Sequence, residues 1–149
     1  MKLFVAVAIG LSVYGQCLSA QEQMNPVTVD IKAKSVAWGS CPPIFSPACR
    51  ITVLHGNPAQ PNADVLLRIP AGAKLPAHSH TSAERMILVH GELAVRYKGS
   101  AVKTLKPGNY AFGPAGLPHE ATCKSAKPCD LFIAFEGPVD AIGFTGTLD

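Results

Sequence analysis

Charged residues are scarce in this sequence of 149 residues, and positive charge is nowhere concentrated. Asp, Glu, Lys and Arg make up 15% of the chain, whereas 48% of the residues are hydrophobic. Disordered chains combine low hydrophobicity with high net charge, so global disorder is not expected here. The formal net charge is only +3, and no dense basic run is present. The sequence therefore gives no support for binding to nucleic acid.

Long helical stripes, internal repeats and low-complexity tracts are also missing. From Arg50 onward, short segments rich in Val, Ile, Leu, Phe and Tyr end at Gly or Pro, which is typical of β-strands. In "ELAVRYK", Leu93, Val95 and Tyr97 alternate with other residues and so share one face. The predicted strands are RITVLHG, ADVLLRIP, RMILVHG, ELAVRYKG, YAFGP and DLFIAFEG. This spacing in a chain of one-domain length predicts an all-β sandwich or barrel, with a jelly roll among the candidates.

One apolar run stands out at the N-terminus, and it is too short to span a membrane. Residues 3–14 follow Lys2 and precede the small residues of "CLSA", which is the pattern of a secretory signal. A membrane-spanning helix needs roughly 20 apolar residues. We predict that residues 1–20 form a signal peptide cleaved near Ala20, which leaves a periplasmic or secreted protein without a membrane span. A buried N-terminal strand or helix is the alternative.

The sequence contains five cysteines, one of which, Cys17, falls within the predicted signal peptide. An even number in an exported chain favours disulfides. The segments "CPPIFSPAC" and "CKSAKPC" each form a short loop that contains proline, so the simplest pairing is Cys41 with Cys49 and Cys123 with Cys129. Two further connectivities, and free buried thiols, remain possible on sequence alone. Neither pair has the usual spacing of zinc ligands.

Only five histidines are present, and two of them are separated by a single residue. On extended backbone His78 and His80 point to the same side. After the turn "TSA", Glu84 begins the next predicted strand, and His119 follows a tight Gly–Pro turn. Three imidazoles and a carboxylate suit a divalent transition metal such as Fe(II), Mn, Co, Ni, Cu or Zn. Four protein ligands on an octahedral ion leave two open positions, which favours substrate or oxygen binding over a structural ion.

These residues resemble the two motifs of the cupin superfamily, a family of small metal-binding jelly-roll barrels. The first motif, G-x5-H-x-H-x3-E-x6-G, is similar to "GAKLPAHSHTSAERMILVHG" at every fixed position. The second, G-x5-P-x-G-x2-H-x3-N, is similar to "GNYAFGPAGLPHEATC", with Cys123 in place of the final Asn. That Asn does not bind metal in cupins, so the resemblance implies that His78, His80, Glu84 and His119 are the metal ligands. The turn at His55–Pro58 and the Gly137–Pro138 pair resemble the branch with anti-sigma-factor cupin-type domains and acetylacetone dioxygenase-like proteins.

The resemblance implies a single cupin jelly-roll β-barrel, which we place at residues 50–149. Residues 21–49 are then an N-terminal arm, with a strand-like "VTVDI" and a proline-rich loop. Because cupins often pair through an edge strand, we expect a homodimer with this arm at the interface. The implied function is that of a metal-dependent enzyme, dioxygenase-like or an isomerase or lyase, acting on a small oxygen-bearing molecule. Glu84 could also act as a base. A non-catalytic cupin that binds or senses a metal or ligand is the alternative.

Other side chains are assigned by their position on the predicted strands. Met86, Tyr97 and Phe112 are the candidates for contact with substrate, and together with Tyr110 and Phe135 they are expected to fill or line the barrel interior. His55 lies beside a turn, where an exposed or structural role is favoured. His90 could act as a proton shuttle, although a hydrogen-bonded histidine at a strand end is the favoured interpretation.

Overall fold

Two antiparallel sheets form the fold of this protein. The structure, a computed structural model, describes residues 25–45 and 47–149, so the predicted signal segment lies outside the described residues. Within these ranges there is no α-helix, and hence none that is long and apolar enough to cross a membrane. The strands are β1 (Gly39–Ser40), β2 (Arg50–His55), β3 (Asp64–Ile69), β4 (Lys74–Ser79), β5 (Glu84–His90), β6 (Leu93–Tyr97), β7 (Lys103–Leu105), β8 (Tyr110–Gly113), β9 (His119–Cys123), β10 (Cys129–Phe135) and β11 (Ile142–Gly143).

The strands pair in the two-sheet order of a jelly roll. One sheet has the order β1-β2-β3-β10-β5-β8 and the other β11-β4-β9-β6-β7. Strand alternation directs one set of side chains into the space between the sheets. Along the whole of β10, for example, buried and half-buried residues alternate. All six strands predicted from the sequence are present, and the prediction of an all-β jelly roll is confirmed.

The apolar core between the sheets is continuous and is built mainly from Val, Leu and Ile. Leu93 and Val95 are buried, as the alternation in "ELAVRYK" predicts. The other members include Val65, Leu67, Ile69, Leu75, Leu88, Leu131 and Ile133. Both predicted disulfides are present, with Cα–Cα distances of 5.6 Å for Cys41–Cys49 and 5.7 Å for Cys123–Cys129. Cys49, Cys123 and Cys129 are fully buried and belong to this core.

The prediction that "VTVDI" forms a strand is wrong. Val27 and Val29 are 59% and 42% exposed, and the chain turns at Asp30 instead of extending. The Asp30 carboxylate accepts the N–H of Lys32 at 3.0 Å, and the Asp30 carbonyl accepts the N–H of Ala33 at 3.0 Å. A side chain that satisfies the backbone in this way offers an alternative to strand pairing. The segment "VTVDI" is therefore not a strand that could pair with a partner.

Candidate metal centre

Three polar side chains form a row across the second sheet. In the register, His78 on β4 pairs with His119 on β9, and His119 pairs with Tyr97 on β6. Directly paired residues project from the same face, so all three side chains enter the space between the sheets. Pairing of β4 with β9 shifts between Leu75 and His78, beside Pro76, which has no N–H to donate. This irregularity explains why a strand that contains proline can still place a histidine beside β9.

His80 and Glu84 complete the cluster from the segment that joins the two sheets. His80 follows the last residue of β4, and Glu84 is the first residue of β5 in the other sheet. Glu84 pairs with Gly113 on β8. A Cβ atom at Gly113 would lie 2.6 Å from Glu84 Oε1, so only glycine leaves room for this carboxyl group. All three histidines and Glu84 are buried, with exposures between 2% and 7%.

Each of the three histidines is oriented by the backbone. His78 Nδ1 donates to the Pro76 carbonyl at 2.7 Å, His80 Nδ1 to the Asp140 carbonyl at 2.5 Å, and His119 Nδ1 to the Leu117 carbonyl at 3.2 Å. Because a carbonyl oxygen can only accept, Nδ1 carries the proton in each ring and Nε2 keeps its lone pair. One nitrogen of each ring lies within 4.8 Å of those of the other two. This outer hydrogen bonding is typical of metal-binding histidines.

Glu84 lies between two of the imidazoles. Its Oε2 is 3.5 Å from His80 Nε2 and its Oε1 is 3.4 Å from His119 Nε2. Oε1 is fully buried and has no hydrogen-bond partner. Buried polar atoms in folded proteins are normally paired, so this oxygen indicates a missing partner. Three unprotonated imidazole nitrogens and a carboxylate oxygen form a donor set that fits a divalent transition metal.

Burial shifts the pKa of every group in the cluster towards its neutral form. Burial is the main cause that lowers the pKa of His78 to about 4 and that of His119 to about 3, and it also lowers the pKa of His80. Burial raises the pKa of Glu84 to about 8. At pH 7 the metal-free protein therefore holds neutral imidazoles beside a mostly protonated carboxyl group. The contacts of Glu84 with His80 and His119 are consequently not ion pairs.

Binding of a divalent metal at pH 7 is expected to release most of one proton per site, because a carboxyl group with a pKa near 8 is mostly protonated at pH 7. At pH 9 the release should be smaller, since more of the carboxyl group is then ionised before binding. Calorimetry with Co²⁺ in buffers of different ionisation enthalpy measures the number of protons released per metal ion bound. Glu84→Gln should remove the pH-dependent part of this proton release. If the variant and the original protein release the same number of protons, Glu84 is not their source.

The cluster lines an apolar cavity between the two sheets. The walls are formed by Leu, Ile and Val side chains from both sheets, together with Met86, Phe135 and Tyr97. The cavity has a volume of about 50 Å³. One buried water needs roughly 10–15 Å³, so the cavity holds a few waters or a comparably small molecule.

The structure divides the predicted substrate-contact residues into two groups. Met86 and Tyr97 line the cavity. The interior position predicted for Phe112 and Tyr110 is wrong, because they are 47% and 58% exposed. β8 is the edge strand of its sheet and begins at Tyr110; Phe112 pairs with the exposed Arg85 and thus lies on the outer face. Phe112 consequently does not reach the cavity.

The two remaining histidines lie away from the cluster. His55 ends β2 and is exposed, as favoured by its position beside a turn. His90 is exposed at the end of β5, where its Nδ1 donates to the Pro128 carbonyl at 3.0 Å. It does not line the cavity. The structure therefore agrees with the interpretation of His90 as a hydrogen-bonded histidine at a strand end.

Three residues at the site are missed by the analysis of the sequence. The ring of Phe45 meets that of His78 edge-on, with 4.7 Å between the centroids. Asp140 holds His80 through its backbone carbonyl, while its carboxylate accepts the Thr81 N–H at 3.0 Å. Gly113 makes room for Glu84. Phe45 and Asp140 reach the site through long-range packing, and no local pattern marks them.

Comparison with known proteins supports the resemblance in the two motifs. The curated dimethylsulfoniopropionate lyase DddQ of Ruegeria pomeroyi is 28% identical over 95 residues, which are 62% of this chain and 47% of that protein. The chain thus spans about half the length of this curated relative. The crystal structure of DddQ from the same organism has a TM-score of 0.62 and 24% identity, and the match covers 75% of this chain and 64% of that one.

Two further solved structures share the fold at lower identity. The polyketide cyclase RemF from Streptomyces resistomycificus has a TM-score of 0.65 and 15% identity, with coverage of 81% of this chain and 88% of that one. Oxalate decarboxylase from Bacillus subtilis, described with Mn(II) centres, has a TM-score of 0.54 and 21% identity, with coverage of 65% and 28%. The model of the ChrR cupin-like domain matches residues 26–140. Because this match extends over well more than half of the sequence, the chain belongs to the family of ChrR cupin-like domains.

Proposed function

We propose that the protein is a metal-dependent enzyme that removes a proton next to a carbonyl or carboxylate group of a small organic molecule, as a lyase or isomerase does. One observation carries this proposal. Three backbone-oriented imidazoles and a buried carboxyl oxygen without a partner converge in the lining of a small apolar cavity. The arrangement combines metal-binding groups with space for a small ligand, which is the usual composition of a ligand site.

In this proposal His78, His80, His119 and Glu84 hold a divalent transition metal. Fe(II), Mn, Co, Ni, Cu and Zn are all compatible with nitrogen and oxygen donors. A divalent ion held by these residues would supply Lewis-acid chemistry at the site. The walls of the cavity are mainly apolar, and a low-dielectric surrounding strengthens the electrostatic interactions of the cluster.

Tyr97 is the residue we propose for proton transfer. Its hydroxyl is buried without a hydrogen-bond partner, and its ring centroid lies 5.1 Å from that of His119. Burial, followed by the charge of Glu84, raises the pKa of this hydroxyl, so it stays protonated at neutral pH. A neutral phenol can donate its proton to a leaving group or to a substrate oxygen. Glu84 is the proposed base, a role that requires its carboxylate to leave the metal.

The lyase and cyclase activities named for the relatives support a reaction of this class. The identity of the relatives is low and the chain spans only part of DddQ, so we propose the substrate only as a class. The cavity of about 50 Å³ favours a molecule with few heavy atoms. A short carboxylic acid, hydroxy acid or diketone satisfies this limit and offers oxygen atoms to the metal.

Tyr97→Phe is expected to lower the turnover of such a substrate by about a hundredfold or more, because a positioned acid or base contributes roughly 10²–10⁴. Metal content should not change, since the phenol is not among the proposed ligands. The assay follows proton release and product formation from small carboxylic acids, hydroxy acids and diketones after loading with each metal. Tyr110→Phe, at an exposed tyrosine on β8, is the matched control. An oxygen electrode identifies a dioxygenase reaction in the same samples.

A non-catalytic role is the second candidate, and the small cavity favours it. If a cavity of about 50 Å³ admits only water beside the metal, the protein could sense or sequester the ion without turnover. The same substrate panel separates the two functions. No turnover with any metal, together with full metal occupancy, would contradict the enzymatic proposal and support the binding role.

Export is a further proposal. The two disulfides are consistent with an oxidising compartment, and we propose that the mature protein is periplasmic or secreted after cleavage near Ala20. The intact mass of the natively produced protein measures both features, since two bridges lower the mass by about four hydrogens. A soluble cytosolic protein that retains Met1 would contradict this proposal.

We also propose that the protein forms a homodimer, in which β8, and not the N-terminal arm, lies at the interface. β8 is a sheet edge that carries the exposed Tyr110 and Phe112, and an open edge invites pairing with a second copy. Light scattering at micromolar concentration tests this arrangement. A monomer would contradict it, and so would a dimer that is unaffected by Phe112→Glu.

A further inference from the structure

The loop closed by the Cys41–Cys49 disulfide borders the cavity that contains the metal-binding cluster. Pro42 and Phe45, both from this loop, contribute to the cavity wall. The Phe45 ring lies against His78, with 4.7 Å between the centroids and an angle of 76° between the planes. The loop is therefore not only an external connection before β2, because it supplies the aromatic group next to one of the three imidazoles.

Covalent closure fixes the position of Phe45. Cys49 is fully buried within the apolar core, and its disulfide brings Cys41 to a Cα–Cα distance of 5.6 Å. Between them, the Phe45 N–H donates to the Pro42 carbonyl at 3.0 Å and forms a turn. Proline restricts the backbone of this turn further. Phe45 also packs against the core cluster, whereas its neighbour Ile44 is 36% exposed.

The position of Phe45 matters because the cavity is so small. Its volume is about 50 Å³. The Phe45 ring is half-buried and forms part of the wall of this cavity. Removing the ring would thus widen the free space beside His78.

We propose that Phe45 limits the size of the molecule that reaches the metal centre, and that the Cys41–Cys49 disulfide holds it in this position. The proposal rests on the proposed function, in which His78, His80, His119 and Glu84 hold a metal and the cavity holds its substrate. It predicts that selectivity for small ligands depends on a loop that precedes the first metal-binding motif in the sequence. Loss of the Phe45 ring should admit larger ligands without weakening the binding of small ones.

Co²⁺-loaded protein provides a test that does not require turnover. The visible spectrum of Co²⁺ reports when a ligand binds, and acetate, butanoate and benzoate form a series of increasing size. We expect the original protein to bind acetate and to bind benzoate at least about tenfold more weakly, because a filled cavity resists larger groups. Phe45→Ala should improve benzoate binding by about tenfold or more, with acetate binding unchanged within about threefold.

Two further variants make the test specific. Ile44→Ala, at the exposed neighbour in the same loop, should leave the size ranking unchanged. The double variant Cys41→Ser/Cys49→Ser keeps Phe45 but releases the loop, and it should shift the ranking in the same direction as Phe45→Ala. Phe45→Leu replaces Phe45→Ala if the alanine variant does not fold.

The possible failures are distinguishable. If the original protein binds no Co²⁺, the proposed metal centre is wrong and this inference falls with it. If Co²⁺ binds but Phe45→Ala and Phe45→Leu keep the original size ranking, the metal centre stands and the role of Phe45 is overturned. If only the cysteine variant keeps the original ranking, Phe45 sets the size limit without help from the disulfide, which overturns the second half of the proposal.

Discussion

Replacement of His80 or His119 by alanine is expected to lower the affinity for divalent metal by about a hundredfold or more, because loss of an outer hydrogen-bonding partner alone typically costs 10–100-fold. Each substitution removes one of three converging nitrogens and leaves the Glu84 carboxyl beside a void. Both side chains lie at the metal-binding end of the barrel, so the apolar core of the remaining sheets should keep each variant folded. Isothermal titration with Co²⁺ or Zn²⁺ measures the change in affinity.

His55→Ala is the matched control for these variants, since His55 is exposed and does not belong to the cluster. Its metal affinity should equal that of the original protein. Circular dichroism and thermal denaturation on the same samples verify that each variant is folded. Full metal occupancy in both His80→Ala and His119→Ala would contradict the assignment of the site.

Removal of the metal by a chelator is expected to lower the melting temperature by roughly 10 °C and to leave the protein folded at 25 °C. A ligand present at a thousandfold its dissociation constant contributes about 4 kcal/mol to the free energy of unfolding, and each kcal/mol corresponds to about 2–4 °C in a chain of this size or somewhat larger. The apolar core and the disulfides do not depend on the metal. In the chain-entropy description, each of the two disulfides closes a short loop and contributes about 2.5 kcal/mol to the free energy of unfolding.

Calorimetric scans with and without the chelator, paired with metal analysis of the same samples, measure this shift. The Glu84→Gln variant serves as a reference, because its weaker metal binding should reduce the difference between the two scans. A chelated protein without a cooperative transition would show that the metal supplies most of the folding energy, as it does in zinc fingers. An unchanged melting temperature in a protein shown to lose its metal would indicate that the ion does not favour the folded state.

The strands with strong alternation could be predicted from the sequence, whereas β4 and β9, which carry His78 and His119, were recognised through motifs. β6 and β10 consist of residues with clear strand preference and regular burial. β4 contains Pro76, and β9 has the sequence HEATC, so neither has the composition of a strand. Their pairing is long-range and depends on the register that the whole barrel imposes. The His-x-His spacing, and not strand preference, identified the site.

The incorrect predictions also have physical reasons that the local sequence pattern does not show. "VTVDI" has the composition of a strand, but the Asp30 side chain satisfies a local turn. "YAF" alternates regularly, yet the alternation does not reveal which face of an edge strand is buried, and Phe112 lies on the outer one. Phe45 is separated from His78 by more than thirty residues, and only the folded chain brings the two rings together.

Anomalous diffraction from a crystal of Co²⁺-loaded protein, recorded at the cobalt absorption edge, tests the metal centre most directly. The proposed site predicts one strong peak between the Nε2 atoms of His78, His80 and His119, with Glu84 as the fourth protein ligand. The Nδ1 atoms should keep their hydrogen bonds to the carbonyls of Pro76, Asp140 and Leu117. A peak elsewhere on the protein, or none at this site in fully loaded crystals, would contradict the metal centre and the function built on it.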